Sequence, residues 1–253
     1  MSEFVLYILP FFGILVGFIS GFFGIGGGTI VVPVMLAFGY DIKTAVGISI
    51  MQMLFSAIFG SYVNYKSGKL QLDNGIFVGV GGLCGASLSG FIVKNAPEIV
   101  LEMGLLATLF IALFKLFKTN VAAEPKNPNN ALLFIIGFCI GAIAISMGVG
   151  GAIFLTPILV GFLGVDIKKA VSMGLFFVIF SSLSGFLSMA YNGNVRYLEG
   201  ALLGLGGLVG VYFGAKTSHK IDKETQKKCF LVMYVVMILL TLKKIFAIDL
   251  GLF

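Results

Sequence analysis

Long apolar segments separated by short polar ones dominate the chain. Phe4–Phe23, Ala131–Ile145 and Phe230–Leu242 are almost entirely apolar, with no alternation of polar and apolar residues. The strands of an outer-membrane barrel would alternate at every second residue. Apolar segments of about 20 residues instead predict α-helices that cross a bilayer. The pattern therefore predicts an all-α polytopic membrane protein.

The same order of motifs occurs twice, which indicates an internal repeat. The offset is 124 residues at the glycine break and the proline that follows it, and 125 at the later blocks. The matched blocks, first half before second half, are Gly24-Ile-Gly-Gly-Gly28 with Gly148-Val-Gly-Gly-Ala152, Pro33 with Pro157, Asp41–Val46 with Asp166–Val171, Leu54–Ser56 with Ile179–Ser181, and Gly79–Gly85 with Gly204–Gly210.

Each repeat is predicted to contain a broken helix followed by three transmembrane spans. Repeat one, residues 1–118, has the broken helix 4–38 and the spans 44–65, 73–93 and 98–117. Repeat two, residues 131–253, has the broken helix 131–163 and the spans 170–191, 198–215 and 229–246. The polar residues 119–130 are predicted to link the repeats, since this stretch is rich in turn-forming residues.

The basic residues favour one of two topologies. If each broken helix crosses the membrane once, the halves are parallel and lysine and arginine show no bias. If it turns back as a hairpin, the halves are inverted and 12 of the 17 basic residues share one side. Those residues are Lys66, Lys69, Lys115, Lys118, Lys126, Lys168, Lys169, Lys216, Lys220, Lys223, Lys227 and Lys228. The positive-inside rule favours inverted repeats in the cell inner membrane, with both termini outside the cytoplasm.

Composition supports the membrane assignment and excludes other classes. The chain is 58% hydrophobic and 11% charged, whereas soluble domains are about one quarter charged. A net charge of +6 is also found in proteins that bind nucleic acid. However, the basic residues lie in short loops, as membrane topology requires, so no nucleic-acid partner is predicted.

The glycine breaks are the first candidate binding elements. Each precedes a half-length apolar segment, and the free amides at a helix start favour anions. Non-helical backbone at membrane depth must be buried in protein or line a cavity. The alternative is that these glycines serve only close helix packing, as we expect for Gly13, Gly17 and Gly21. The candidate backbone residues are Gly26, Gly27, Gly28, Gly150, Gly151 and Ala152.

Polar side chains within spans supply further candidates. A buried hydroxyl or carboxamide could bind substrate oxygens, or could bond its own or a neighbouring helix. Gln52 and Ser56 are one helical turn apart, and Ser181 takes the place of Ser56 in repeat two. Thr29 could cap the short helix or contact substrate. The full set is Thr29, Gln52, Ser56, Ser146, Ser181 and Ser182.

The predicted spans contain no acidic or basic residue well inside them. Proton pumps and cation transporters usually keep an intramembrane carboxylate or histidine. Helix-start amides and hydroxyls without acids favour an anionic substrate. The sequence also lacks the G-x-x-x-x-G-K-[ST] motif of nucleotide-binding loops and has one histidine, in a loop. We therefore expect no cofactor, no metal site and no enzymatic activity.

At the glycine breaks the chain resembles the TauE/SafE family of sulfite exporters. The resemblance rests on Gly17–Gly28 leading into Val31-Val-Pro33, on Met147–Ala152 leading into Thr156-Pro157, and on Ala45–Ser49. It extends over both halves and implies transport of sulfite, sulfonates or related anions. The chain departs from an exact duplication at Ala152, which takes the place of Gly28, so the two breaks are expected to contribute unequally.

Three functions are compatible with these features. The first is a secondary transporter that moves a small sulfur-containing oxyanion by alternating access. The second is an anion channel with the same site, and the third is a membrane scaffold or assembly protein that transports nothing. The expected partners are the anion and the lipid bilayer, with a homodimer as a further hypothesis.

Overall fold

In a computed structural model, the described residues are 3–66, 68, 75–118, 129–164 and 167–249, and these ranges form eleven helices and no strand. The helices are α1 Glu3–Phe23, α2 Gly28–Ala37, α3 Ile42–Lys66, α4 Gly75–Ala86, α5 Ser89–Asn95, α6 Glu98–Lys118, α7 Asn130–Ser146, α8 Ala152–Leu163, α9 Ile167–Tyr191, α10 Tyr197–Lys220 and α11 Lys223–Asp249.

The prediction of a multi-pass, all-α membrane protein is confirmed. Among the described residues, five segments are long and apolar enough to cross a bilayer, namely Ile42–Lys66, Gly75–Asn95, Ala170–Tyr191, Tyr197–Ser218 and Glu224–Lys243. Large apolar side chains also cover the outer surface, including Phe11, Phe91 and Leu239, each more than half exposed. Lipid is the solvent in which such a surface is stable.

The helix contacts come in matched pairs across the two halves. Helix α1 packs on α10 as α7 packs on α4, and α3 contacts α10 as α9 contacts α4. Similarly, α2 packs on α3 as α8 packs on α9, and α2 contacts α11 as α8 contacts α6. The central contacts α3–α9 and α6–α11 each join a helix to its own counterpart. Two related halves would make this set of contacts, and the inverted-repeat organisation stays a prediction.

Helix directions follow from which residues face each other. Along α1 and α10, Gly13 faces Leu203 and Gly21 faces Val211, so these helices are parallel. Between α3 and α9 the order reverses, because Gly60 lies against Leu175 while Gly185 lies against Ile50. The two counterpart helices at the centre are thus antiparallel, which is the geometry that inverted repeats predict.

Small residues allow α1 and α10 to approach at backbone distance. A Cβ atom on Gly17 would lie 2.1 Å from the carbonyl oxygen of Gly207. Gly13 and Gly21 meet the carbonyl oxygens of Leu203 and Val211 at 2.4 Å in the same way. Since a real Cβ cannot occupy these positions, the glycines of this stripe serve helix packing, as the sequence predicted.

Basic residues collect at two ends of the bundle. At one end, the Nζ of Lys43 donates to the carbonyl oxygen of Lys94 at 3.3 Å. At the other end, the Nζ of Lys227 donates to the carbonyl oxygen of Phe117 at 3.4 Å. Lys43 and Lys94 belong to one predicted group of basic residues and Lys227 to the other, and the topology that divides the groups stays a prediction. The side that faces the cytoplasm stays a prediction.

Some predicted bounds differ from the structure. The span 73–93 is divided into α4 and α5 by a turn at Ser87 and Leu88, where Oγ of Ser87 donates to the carbonyl oxygen of Cys84 at 2.7 Å. This local bond competes with the helical backbone, and Oγ of Ser188 in α9 then donates to the carbonyl oxygen of Ser87. The corresponding stretch of α10 is continuous.

The last helix begins earlier than predicted, and the linker is only partly described. Helix α11 starts at Lys223 rather than at residue 229, because Asp222 accepts a hydrogen bond from the backbone amide of Thr225 at 2.8 Å and caps the helix. Of the predicted linker 119–130, residues 119–128 lie outside the described residues.

Candidate functional site

The two glycine breaks contact each other in the interior of the bundle. A Cβ atom on Gly28 would lie 2.2 Å from the carbonyl oxygen of Gly148, and one on Gly150 would lie 2.9 Å from that of Ile25. Oγ of Ser49 donates to the carbonyl oxygen of Gly148 at 2.7 Å and so bonds one half to the other. Residues more than 100 positions apart in sequence therefore form one compact region.

Both breaks share one backbone conformation. Each contains three glycines with positive φ, namely Gly24, Gly26 and Gly27 in the first break and Gly148, Gly150 and Gly151 in the second. The residue before each short helix, Gly27 or Gly151, has φ of 83° or 71° and provides no side-chain cap. An L-residue is strained in this conformation, which explains why glycine occurs at the same places twice.

The start of α2 leaves backbone donors unused. Amides of Ile30 and Val31 donate to the carbonyl oxygen of Gly27. By contrast, the amides of Gly28 and Thr29 have no acceptor within the described residues. At the start of α8, the amide of Ala152 is already used, because it donates to the carbonyl oxygen of Gly150 at 2.9 Å. The first break therefore offers more free donors than the second.

Thr29 does not cap α2. The residue at the cap position is Gly27, and no side chain closes this helix start. The hydroxyl of Thr29 is fully buried and has no hydrogen-bond partner in the described part of the chain. Of the two roles predicted for Thr29, the structure does not show the capping role, and contact with a substrate stays a prediction.

Gln52 lies between the first break and α10. A Cβ atom on Gly27 would lie 2.8 Å from Oε1 and 3.0 Å from Nε2 of Gln52. On the opposite side, a Cβ atom on Gly207 would lie 3.3 Å from Nε2 of Gln52 and 3.1 Å from Oγ of Ser56. Glycine at both positions allows the carboxamide to lie directly against backbone.

The carboxamide of Gln52 is only partly satisfied. Its Nε2 donates to Oγ of Ser56, one helical turn later, at 2.6 Å. Its Oε1 is fully buried and accepts no hydrogen bond from any described residue. Most buried polar atoms in proteins have a partner, and an unmet one costs about 1–3 kcal/mol. This oxygen is an acceptor directed at the first break.

Phe177 occupies the corresponding place in the second half. It follows Gln52 by 125 residues, the offset of the repeat. A Cβ atom on Gly151 would lie 2.6 Å from its ring, and one on Gly82 would lie 2.3 Å from it. Gly82 is the counterpart of Gly207. The same glycine pair thus holds a polar amide in one half and a fully buried aromatic ring in the other.

Met53 packs against both breaks. Its Sδ would lie 2.5 Å from a Cβ atom on Gly28 and 2.6 Å from one on Gly150. Methionine is flexible and adapts to irregular spaces. Its counterpart, Val178, lies against Gly26 and is branched and stiffer. The apolar side chains of Met53 and Val178 therefore fill the space beside the breaks and place no charge there.

Three of the candidate serines use their hydroxyls within their own helices. Ser146 donates to the carbonyl oxygen of Ala142, Ser181 to that of Phe177, and Ser182 to that of Val178. A hydroxyl bonded in this way can still accept a hydrogen bond, but its donor is occupied. In the described structure these serines offer less to an anion than the amides of α2.

Sequence reasoning missed four residues at this region. They are Ser49, Met53, Phe177 and Gly207. Ser49 ends a motif that carried the family resemblance, and Gly207 belongs to a repeated glycine block, so both had a signal. Phe177 could have been found by asking which residue matches Gln52. Met53 is one of several apolar residues along α3, and no sequence feature singled it out.

Comparisons with known proteins agree with this architecture. The family model "Sulfite exporter TauE/SafE" matches residues 9–241. Probable membrane transporter protein YdhB of Bacillus subtilis is 29% identical over 234 residues, covering 88% of this chain and 94% of that protein. A probable membrane transporter protein of Methanocaldococcus jannaschii is 25% identical, covering 90% of this chain and 91% of the relative. No solved structure matches the chain.

Proposed function

The chain belongs to the sulfite exporter TauE/SafE family of membrane transporters, and from this membership we propose that it is a secondary transporter for a small sulfur-containing oxyanion, such as sulfite or an organosulfonate. The family name supports the substrate class. The relatives carry the name probable membrane transporter, which supports transport in general.

One observation carries the proposal beyond the family name. The start of α2 presents the unused amides of Gly28 and Thr29 at the contact between the two breaks. The nearest side chains there, Ser49, Gln52 and Met53, are all uncharged. Backbone amides and a helix dipole favour an anion, and uncharged surroundings exclude the attraction that a carboxylate would give a cation.

Alternating access is the proposed mechanism. The two halves meet at the breaks, and helices α3 and α9 cross the centre as antiparallel counterparts. Movement of one half against the other would open the breaks first to one side of the membrane and then to the other. Met53 is the side chain that must move for the breaks to separate, and its flexibility suits that role.

Uptake into proteoliposomes tests the proposal. Purified protein is reconstituted, and entry of radiolabelled sulfite is measured alone and with excess sulfonate, thiosulfate, sulfate, phosphate or choline. We expect saturable uptake that sulfonates inhibit and choline does not. Uptake that rises without saturation would identify an anion channel. Absence of flux for every anion, with protein shown to be folded, would contradict transport and favour the scaffold function.

A further inference from the structure

The first break combines two kinds of hydrogen-bonding group. The free amides of Gly28 and Thr29 and the hydroxyl of Thr29 can donate to the oxygens of an anion. Oε1 of Gln52 cannot donate, because it is a carbonyl oxygen. Its partner Nε2 is held by Ser56 at 2.6 Å, which keeps the oxygen on the side of the break. A bare anion with acceptor oxygens alone would leave Oε1 unsatisfied.

We propose that the Gln52 subsite, formed by Gln52, Ser56, Gly27 and Gly207, binds a hydrogen-bond donor carried by the transported anion. The substrate would then be a sulfur oxyanion with a hydroxyl group or a protonated oxygen. Hydrogensulfite and hydroxyalkanesulfonates belong to this class, whereas simple alkanesulfonates and the sulfite dianion do not. This inference rests on the proposed function, since it specifies which anion the same site accepts.

The second half provides no matching subsite. Phe177 fills the space between Gly151 and Gly82, and its ring neither donates nor accepts a conventional hydrogen bond. The amide of Ala152 is also occupied by the carbonyl oxygen of Gly150. Within the described residues, a buried carboxamide between two glycines therefore occurs at the first break, on the side of α10, and an aromatic ring takes its place at the second.

One consequence concerns proton movement. If hydrogensulfite is the bound form of sulfite, each transported ion carries a proton across the membrane. No intramembrane carboxylate next to Gln52 is needed for that proton, because the substrate itself holds it. The uncharged lining of the first break is consistent with a proton that is never transferred to the protein.

A matched pair of probes tests the subsite. Ethanesulfonate and 2-hydroxyethanesulfonate carry the same charge and chain length and differ only in a terminal hydroxyl. Their uptake is compared in proteoliposomes, with radiolabelled sulfite measured in the same vesicles. One hydrogen bond to a buried acceptor is worth about a tenfold change in affinity. We therefore expect the hydroxyl-bearing sulfonate to be preferred about tenfold.

Substitution at Gln52 assigns the preference to this subsite. Gln52→Leu removes the acceptor, so we expect the two sulfonates to be transported equally. Gln52→Met, which is also apolar and similar in length, serves if the leucine variant does not fold. Phe177→Leu changes the matching position in the other half, and it should keep the preference of the original chain.

Two outcomes overturn the subsite while leaving the proposed function intact. The first is equal uptake of both sulfonates by the unmodified protein. The second is a preference that persists in a folded Gln52→Leu or Gln52→Met variant. If neither sulfonate nor sulfite is transported by folded protein, the proposed function itself fails, and this result is separate from the other two.

Discussion

The two glycine breaks share a backbone and differ in what they enclose. In both, three glycines with positive φ precede a short helix, and a side chain from the next helix lies between the break and a glycine of a partner helix. In the first half that side chain is Gln52, and in the second it is Phe177. The first break also has free amides where the second has an internal bond at Ala152.

This difference shows how a duplicated scaffold can become asymmetric. The glycines satisfy a steric requirement that is common to both halves, since each break must approach other backbone. The enclosed side chain is not under that requirement, so it can be polar in one half and apolar in the other. We interpret the second break as the sealed one, meaning that the ring of Phe177 fills the space that the Gln52 carboxamide occupies at the first break. The following predictions test that interpretation, from the largest expected effect to the smallest.

Adding a methyl group to each break should destabilise the second more. Gly151→Ala combines a strained positive φ with a clash against the buried ring of Phe177, and we expect a loss of about 2–5 kcal/mol in unfolding free energy. Gly27→Ala carries the same strain, and its methyl group would meet Gln52 at 2.8 Å and Cγ1 of Val16 at 2.9 Å instead of an aromatic ring at 2.6 Å, so about 1–3 kcal/mol is expected. Thermal unfolding of the purified variants in detergent gives the order.

Equal unfolding midpoints for the two alanine variants would show that Phe177 is not rigidly held. A Gly39→Ala variant is a useful control. Gly39 also has positive φ, but a Cβ atom there would meet nothing within 4 Å. The stability lost in Gly39→Ala therefore measures the effect of backbone strain without a steric clash.

Exchanging the enclosed side chains should separate transport from stability. Gln52→Phe should reduce sulfite uptake at least tenfold, because it removes a buried hydrogen-bond acceptor and blocks the first break with an aromatic ring. We expect this variant to remain folded. Phe177→Gln should lower the unfolding free energy by about 2 kcal/mol, because less apolar surface is buried, yet it should retain sulfite uptake. Proteoliposome uptake and thermal unfolding of both variants make the comparison. Loss of uptake only in Phe177→Gln would reverse the assignment of the two breaks.

The bond between the halves should contribute a smaller, purely structural effect. Ser49→Ala leaves the buried carbonyl oxygen of Gly148 without its donor, and we expect a loss of about 1–2 kcal/mol in stability. Ser172→Ala is the matched control, because the hydroxyl of Ser172 is buried and has no partner in the described structure. Chemical denaturation should show a clear loss for Ser49→Ala and little change for Ser172→Ala.

The smallest effect is expected at the paired serines. Ser56→Ala frees the Nε2 of Gln52 and loosens its orientation, so uptake should fall about threefold to tenfold. Ser181→Ala removes only a bond to its own helix and should leave uptake nearly unchanged. Initial rates measured at several sulfite concentrations distinguish the two. A similar loss in both variants would indicate that the halves contribute equally.

Much of the architecture could be predicted from the sequence. Apolar length predicted the membrane helices, and the repeated glycine blocks predicted the positions of both breaks. Gln52 and Ser56 were singled out as buried polar residues one helical turn apart, and the structure joins them by a hydrogen bond. The assignment of the candidate residues to substrate binding stays a prediction. The turn at Ser87 was missed, because its side-chain bond to a nearby carbonyl gives no distinct pattern among apolar residues.

The organisation into inverted repeats stays a prediction, but the sequence by itself determined the class of protein and the positions of the two helix breaks. These depend on local composition and spacing, which are read directly along the chain. Only the tertiary structure decided which break is polar and which is sealed. Gln52 and Phe177 contact their glycines across helices that are distant in sequence. The identity of a single residue does not show which residues will surround it in the folded protein. The unpartnered oxygen of Gln52 likewise exists only because α10 and the first break enclose it.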